Sequence, residues 1–122
     1  MKAIPLWLAG LLLVPMTAPA AAGEREAELA LARASTAIAA AQRIDADAYA
    51  SDPLAIGRAA LSQAQRACAV GAWLDCERAA ERAHADARLA EARTRQSRAE
   101  ADTERLAAAV QSLRDELDLR GG

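Results

Sequence analysis

The chain contains no phenylalanine, and aromatic residues make up 2% of it. It has one histidine, His84, and two cysteines, Cys68 and Cys76. Its only lysine, Lys2, lies at the extreme N-terminus, so every basic side chain beyond it is arginine. Each shortage excludes something. One histidine leaves no second imidazole for acid–base work, and zinc sites show two or more His or Cys ligands at set spacings. There is no phosphate-binding glycine loop and no evident Ser/His/Asp grouping. Acidic and basic residues nearly balance, with a formal net charge of −2, and are interspersed. With no basic stripe, nucleic acid is a poor partner. With no block of one sign, there is no charged tail.

What is abundant is alanine, which supplies much of the 53% hydrophobic content. Alanine is the strongest helix former but buries little apolar surface. The composition therefore predicts an all-α protein with a thin core: an antiparallel helical hairpin or three-helix arrangement with one long, coiled-coil-like C-terminal helix.

The N-terminus reads as a cleavable secretory signal spanning residues 1–22. Lys2 gives a small positive region, Leu6 to Val14 a short apolar run, and Pro15 to Ala22 a small-residue stretch. The run is shorter than the ~20 residues a membrane span needs, and no other stretch approaches that length. Cleavage is expected after Ala22, leaving Gly23 first, with cleavage after Ala20 as the runner-up and an uncleaved anchor as the alternative. No cysteine follows to accept a lipid. The mature part, residues 23–122, is expected to form a single helical domain in the periplasm.

Two cysteines in an exported chain point to a disulfide. Cys68 and Cys76 stand symmetrically about Ala72, each on the apolar seam of a helical pattern, with Gly71 between them as a helix-ending glycine. A tight bend near 69–75 would bring them face to face; the alternative is two buried free thiols. Their spacing is not that of a redox C-x-x-C pair. The first helix is expected from Glu24 to Ile44, with Ala27, Leu31, Ala34, Ile38 and Ala41 as its seam. Asp52-Pro53 reads as an N-cap followed by proline at the first helical position, opening a second helix to Val70. Its seam is Leu54, Gly57, Leu61, Ala64 and Cys68. The third helix is expected from Ala72 to Leu119, with Trp73, Cys76, Ala80, Ala83, Ala87 and Ala90 facing inward.

A second seam then runs from Leu89 through Ala92, Gln96, Ala99, Thr103, Leu106, Val110, Leu113 and Leu117, alternating three and four without a break. This heptad rhythm marks a coiled-coil-like extension over about 93–119. Leu106, Val110, Leu113 and Leu117 need cover, either from the first helix folding back or from another chain; the alternative is an exposed tail. Asp45, Asp47 and Asp52 lack the pattern of a calcium loop and read as turn and cap residues. His84, with Glu81 and Asp86 nearby, reads as a surface histidine. Tyr49 and Trp73 read as fillers of gaps in the alanine core.

Certain stretches resemble a known bacterial envelope family, the domain of unknown function 4398. These are Ala34-Ser35-Thr36-Ala37-Ile38-Ala39-Ala40-Ala41, Ala48-Tyr49-Ala50 with Asp52-Pro53-Leu54, Ala60-Leu61, Ala64, Gly71-Ala72-Trp73 and Ala79-Ala80. The resemblance covers roughly Glu24 to Ala92. It implies a periplasmic helical hairpin domain, joined in some members to an OmpA-like peptidoglycan-binding domain, for which the mature part here leaves no length. The Cys68/Cys76 pair and the lack of a lipidation cysteine depart from the family. The resemblance supplies no catalytic residue. The functional expectation is a non-enzymatic structural or protein-interaction module of the envelope, without cofactor or metal. It would bind a protein partner or itself through the C-terminal helix. The alternative is a small periplasmic chaperone-like or ligand-binding factor using exposed apolar helix faces.

Overall fold

The computed structural model describes residues 18–122, with side chains from Gly23 onward. The expected signal run over residues 6–14 lies outside the described residues, as does the side chain of Ala22. Four helices follow one another: α1 (Ala18–Arg43), α2 (Ala46–Tyr49), α3 (Ser51–Ala69) and α4 (Trp73–Gly121). No strand occurs among the described residues. The all-α, three-helix reading with one long C-terminal helix is what the structure has.

α1 starts earlier than expected, at Ala18 rather than Glu24. Residues 18–22 are all alanine except Pro19. Proline near a helix start costs nothing, since the first N–H groups have no intrahelical partner. α1 ends where Asp45 takes a left-handed backbone conformation, φ 62°, and its N–H donates to the Gln42 carbonyl at 3.0 Å. Aspartate is among the few residues that tolerate this conformation. The 45–52 connection, read as a loop, contains the extra turn α2. Ala50 closes it by donating to Ala46 O (2.8 Å), and the carbonyl of Ala50 then accepts from Leu54 N (3.3 Å).

The backbone of Ala50 thus holds the cap position of α3, and no side chain caps that end. The expected N-cap at Asp52 is corrected: the turn α2 starts α3 at Ser51, so Asp52 falls inside the first turn. There its charge complements the helix dipole. Pro53 takes the third position, where its missing N–H still costs nothing.

The α3–α4 reversal uses only Val70, Gly71 and Ala72. Gly71 has φ 75°. Its N–H donates to Cys68 O at 3.1 Å, and that of Ala72 to Ala67 O at 2.9 Å. These paired bonds satisfy two carbonyls at the end of α3 in a Schellman motif. Cys68 and Cys76 are joined across the bend as a disulfide, with Cα atoms 5.1 Å apart.

Gly23 lies beside Trp73, the Cβ position of one 3.9 Å from that of the other, and Asp45 bonds Arg98. α1 therefore runs parallel to α4, and α3 returns antiparallel between their two ends. In the two buried clusters only Ile38, Leu54 and Cys76 are larger than alanine. Small side chains let the helices close in. A Cβ added at Gly57 would stand 3.0 Å from Ile38 Cδ1 and 3.3 Å from Asp86 Cβ, so α3 meets both α1 and α4 at that point. The inward seam of α4 is Cys76, Ala80, Ala83, Ala87, Ala90 and Thr94, all buried. Continued at the same rhythm, that seam reads Ser97, Ala101, Glu104, Ala108, Gln111, Asp115, Asp118, and it turns polar where α1 ends. From Asp102 onward every residue is exposed. The last ~20 residues of α4 project ~30 Å beyond the three-helix body at 1.5 Å per residue.

Candidate functional site

The projecting segment carries the apolar stripe that the heptad spacing marked out. Leu106 is 68% exposed, Val110 46%, Leu113 60% and Leu117 67%. At 100° per residue these positions lie on roughly the opposite side of α4 from its inward seam. The stripe continues up the body through exposed Thr103, Ala99, Gln96, Ala92 and Leu89. Cover by α1 folding back is excluded. α1 is level with Arg98 when it ends, and Leu31 and Ile38, which offered a matching face, are engaged in the body's own clusters.

Several polar groups around the stripe bond within the helix. The Thr103 hydroxyl donates to Ala99 O at 2.9 Å. The Gln111 amide donates to Asp115 at 2.9 Å, and Arg105 pairs with Asp102 at 3.1 Å. Gln96 likewise donates to Glu100. Ala107 and Ala109 flank the seam beside the more prominent Arg114 and Glu116. The surface is thus a ridge of four large aliphatics on α4, rimmed by small and charged residues.

The other candidates resolve differently. Asp45 and Asp47 are drawn apart by arginines. Arg98 donates to Asp45 at 2.6 Å, while Arg58 binds Asp47 at 2.8 Å. Arg98 also lies over the Tyr49 ring, 5.5 Å from its centre. Tyr49 is therefore no core filler, as the sequence reading had it. It lies half-exposed as part of an Asp45–Arg98–Tyr49 clasp that ties the α1–α3 corner to α4. Trp73 is half-buried against the lower alanine cluster, as expected. His84 is exposed beside a small recess shared with Glu26, Arg33, Glu77 and Glu81. Among the described residues no group of three or more His, Cys, Asp and Glu is placed to hold a metal ion. An open trough of about 1020 Å³ runs between α3 and α4, walled by arginines and alanines such as Arg66, Arg82, Ala67 and Ala85.

Sequence reasoning missed the clasp, whose partners are 53 residues apart. It also missed the near-buried Glu91, which accepts from Arg88 and Arg95 on α4. The spacings 88/91 and 91/95 are ordinary helix ion-pair spacings and could have shown that group.

The family model for the domain of unknown function 4398 matches residues 29–106. That is well over half the chain, and the chain belongs to this family. The match spans most of the three-helix body and ends at the first leucine of the projecting stripe. No curated protein and no solved structure matches the chain.

Proposed function

We propose that this family member is a non-enzymatic structural or protein-interaction module of the bacterial cell envelope. It works in the periplasm after export and docks a protein partner or itself through Leu106, Val110, Leu113 and Leu117. The observation that carries the reading is the continuous wet stripe on a helix that outruns its own bundle. A helix this long, whose inward seam turns polar as its outward seam turns leucine-rich, has its apolar face in the wrong place to stabilise its own body. Proteins keep such patches where something covers them. Export fits the disulfide at the bend, since such bonds persist in oxidising compartments. Removal of residues 1–22 would leave Gly23 opening α1, with Glu24 and Glu26 in its first turn, where acids suit the dipole.

The test is a paired measurement on residues 23–122 and the variant Leu113→Asp/Leu117→Asp. The variant keeps its helix content by circular dichroism but loses self-association in sedimentation, or loses capture of an envelope protein. A wild type that is monomeric at roughly tens of micromolar, a range of weak association, and that captures the same proteins as the variant refutes the reading. A chaperone-like role is the second reading, favoured by the stripe's reach up the body to Leu89, a long surface for amphipathic clients. It requires the monomer to bind apolar dyes or unfolded peptides through the stripe.

A further inference from the structure

Resting on the interaction reading above, we propose that the stripe's occupant is a second copy of the same segment. The two copies run antiparallel about a twofold axis passing between Gln111 and Ser112. The four aliphatics are symmetric about that point: Leu106 and Leu117 lie equally far from it, as do Val110 and Leu113. The exposed part of α4, Asp102 to Gly121, has the same midpoint. Antiparallel pairing in this register sets Leu106 across from Leu117 of the second copy and Val110 across from Leu113, each contact occurring twice. An interface of this kind is self-complementary, as a twofold requires. All eight aliphatics find an aliphatic partner. Gly121 of one copy comes level with Asp102 of the other, where the exposed part of α4 begins.

The parallel alternative is poorer at the seam itself. In register it places Arg120 against Arg120 within the seam and Gln96 against Gln96. The flanking positions that meet across a parallel pair would bring Arg88 to Arg93 and Arg95 to Glu100 on both sides, so repulsion and attraction there nearly cancel, and the cost falls on Arg120. In the antiparallel register Arg120 lies over Thr103, and the flanks place Arg114 beside Ala107 and Glu116 beside Ala109. No like charges meet across the axis, and two alanines per copy leave room for close approach. Leu89 stays outside the pairing, as do Ala92, Gln96 and Ala99, whose small or polar side chains suit a wet surface.

Cross-linking decides the register without touching the seam. Ala107→Cys and Arg114→Cys are prepared separately in the full mature chain with its disulfide formed, mixed, and treated with a short bis-maleimide. The mixture gives a covalent dimer several-fold more abundant than a mixture of Ala109→Cys with Arg114→Cys. The product disappears when Leu113→Asp/Leu117→Asp is added to both chains. Dominant linkage of 109 to 114 overturns the proposal in favour of parallel pairing, and linkage that survives the aspartates overturns it as random collision. Sedimentation of the unlabelled wild type as a monomer also overturns self-pairing. If that monomer still captures an envelope protein that the aspartate variant does not, self-pairing falls while the interaction reading stands.

Discussion

Breaking the Cys68–Cys76 bond tests how the body is held together. The bond closes a short loop, the two cysteines being 8 positions apart. In the chain-entropy model a loop this size constrains the unfolded state by about 2.6 kcal/mol at 25 °C. Elsewhere that would be one contribution among many. Here the buried clusters are nearly all alanine, and the largest fully buried side chains are Leu54, Thr94 and Cys76. Little large-side-chain burial is available to compensate, and a domain of ~100 residues has only ~5–15 kcal/mol in hand. For such a domain 1 kcal/mol shifts Tm by about 4–8 °C, so Cys68→Ser/Cys76→Ala should melt roughly 10–20 °C lower. The cavity left by the fully buried Cys76 side chain adds to the loss. The measurement is thermal unfolding by circular dichroism at matched, low concentration. A fall under about 3 °C would refute the reasoning. It would mean that the Schellman turn at Gly71 already holds the reversal in the unfolded ensemble, leaving the bond little entropy to remove.

The remaining expectations are smaller. Gly57→Leu forces a side chain into the gap between Ile38 and Asp86 and should cost about 1–3 kcal/mol in urea unfolding. Gly57→Ala should be near neutral, its clash offset by a helix-propensity gain of about 1 kcal/mol; a Leu variant as stable as wild type would disprove the close approach there. Arg98→Ala removes both the Asp45 ion pair and the contact over Tyr49. As both are partly exposed, the loss should be about 0.5–1.5 kcal/mol, shrinking in ~1 M salt; a loss that ignores salt would point to packing instead. Mass spectrometry of the exported protein should place its N-terminus at Gly23, and an intact Met1 in membranes would overturn export by cleavage.

Much of the body was legible because helix periodicity survives even in a sequence this poor in large apolar residues. Ala27, Ala34, Ile38 and Ala41 on α1, and Ala80, Ala83, Ala87 and Ala90 on α4, lie buried where the three-four spacing put them. The bend was legible because Gly71 has one strong use after a helix, and the two cysteines stand at equal distances from Ala72. The corner at 45–52 was not. Asp52-Pro53 is a genuine start signal, but Asp45 in a left-handed conformation and the single turn α2 moved the start of α3 by tertiary fit. Tyr49 followed, turned outward to meet an arginine that spacing could not connect to it. On α4 the sequence displayed both seams and which one faces inward, but not whether α1 would also cover the leucine seam. That depended on the length of α1, which runs out level with Arg98 and leaves the leucine seam bare.

That division of α4 has a thermodynamic consequence. The helix offers alanines to its own body and keeps its leucines for the outside, so further large-side-chain burial would have to come from a partner. Full burial of a leucine or valine side chain is worth roughly 1.5–3 kcal/mol. Since the four on the stripe are about half to two-thirds exposed, pairing two copies would contribute about 7–14 kcal/mol. Association itself costs about 4–15 kcal/mol, which leaves a weak complex. Stability and assembly are then coupled: a partner that binds only the folded chain raises stability by about 1.4 kcal/mol for each tenfold rise in concentration above its Kd. The melting temperature of the wild-type mature chain should therefore climb by several degrees per decade of protein concentration. That of Leu113→Asp/Leu117→Asp should stay flat and meet the wild-type value at low concentration, since the substituted residues touch nothing in the body. A variant that melts well below the dilute wild type would show that the projecting helix supports its own chain, and the separation of α4 into a body half and a docking half would be wrong.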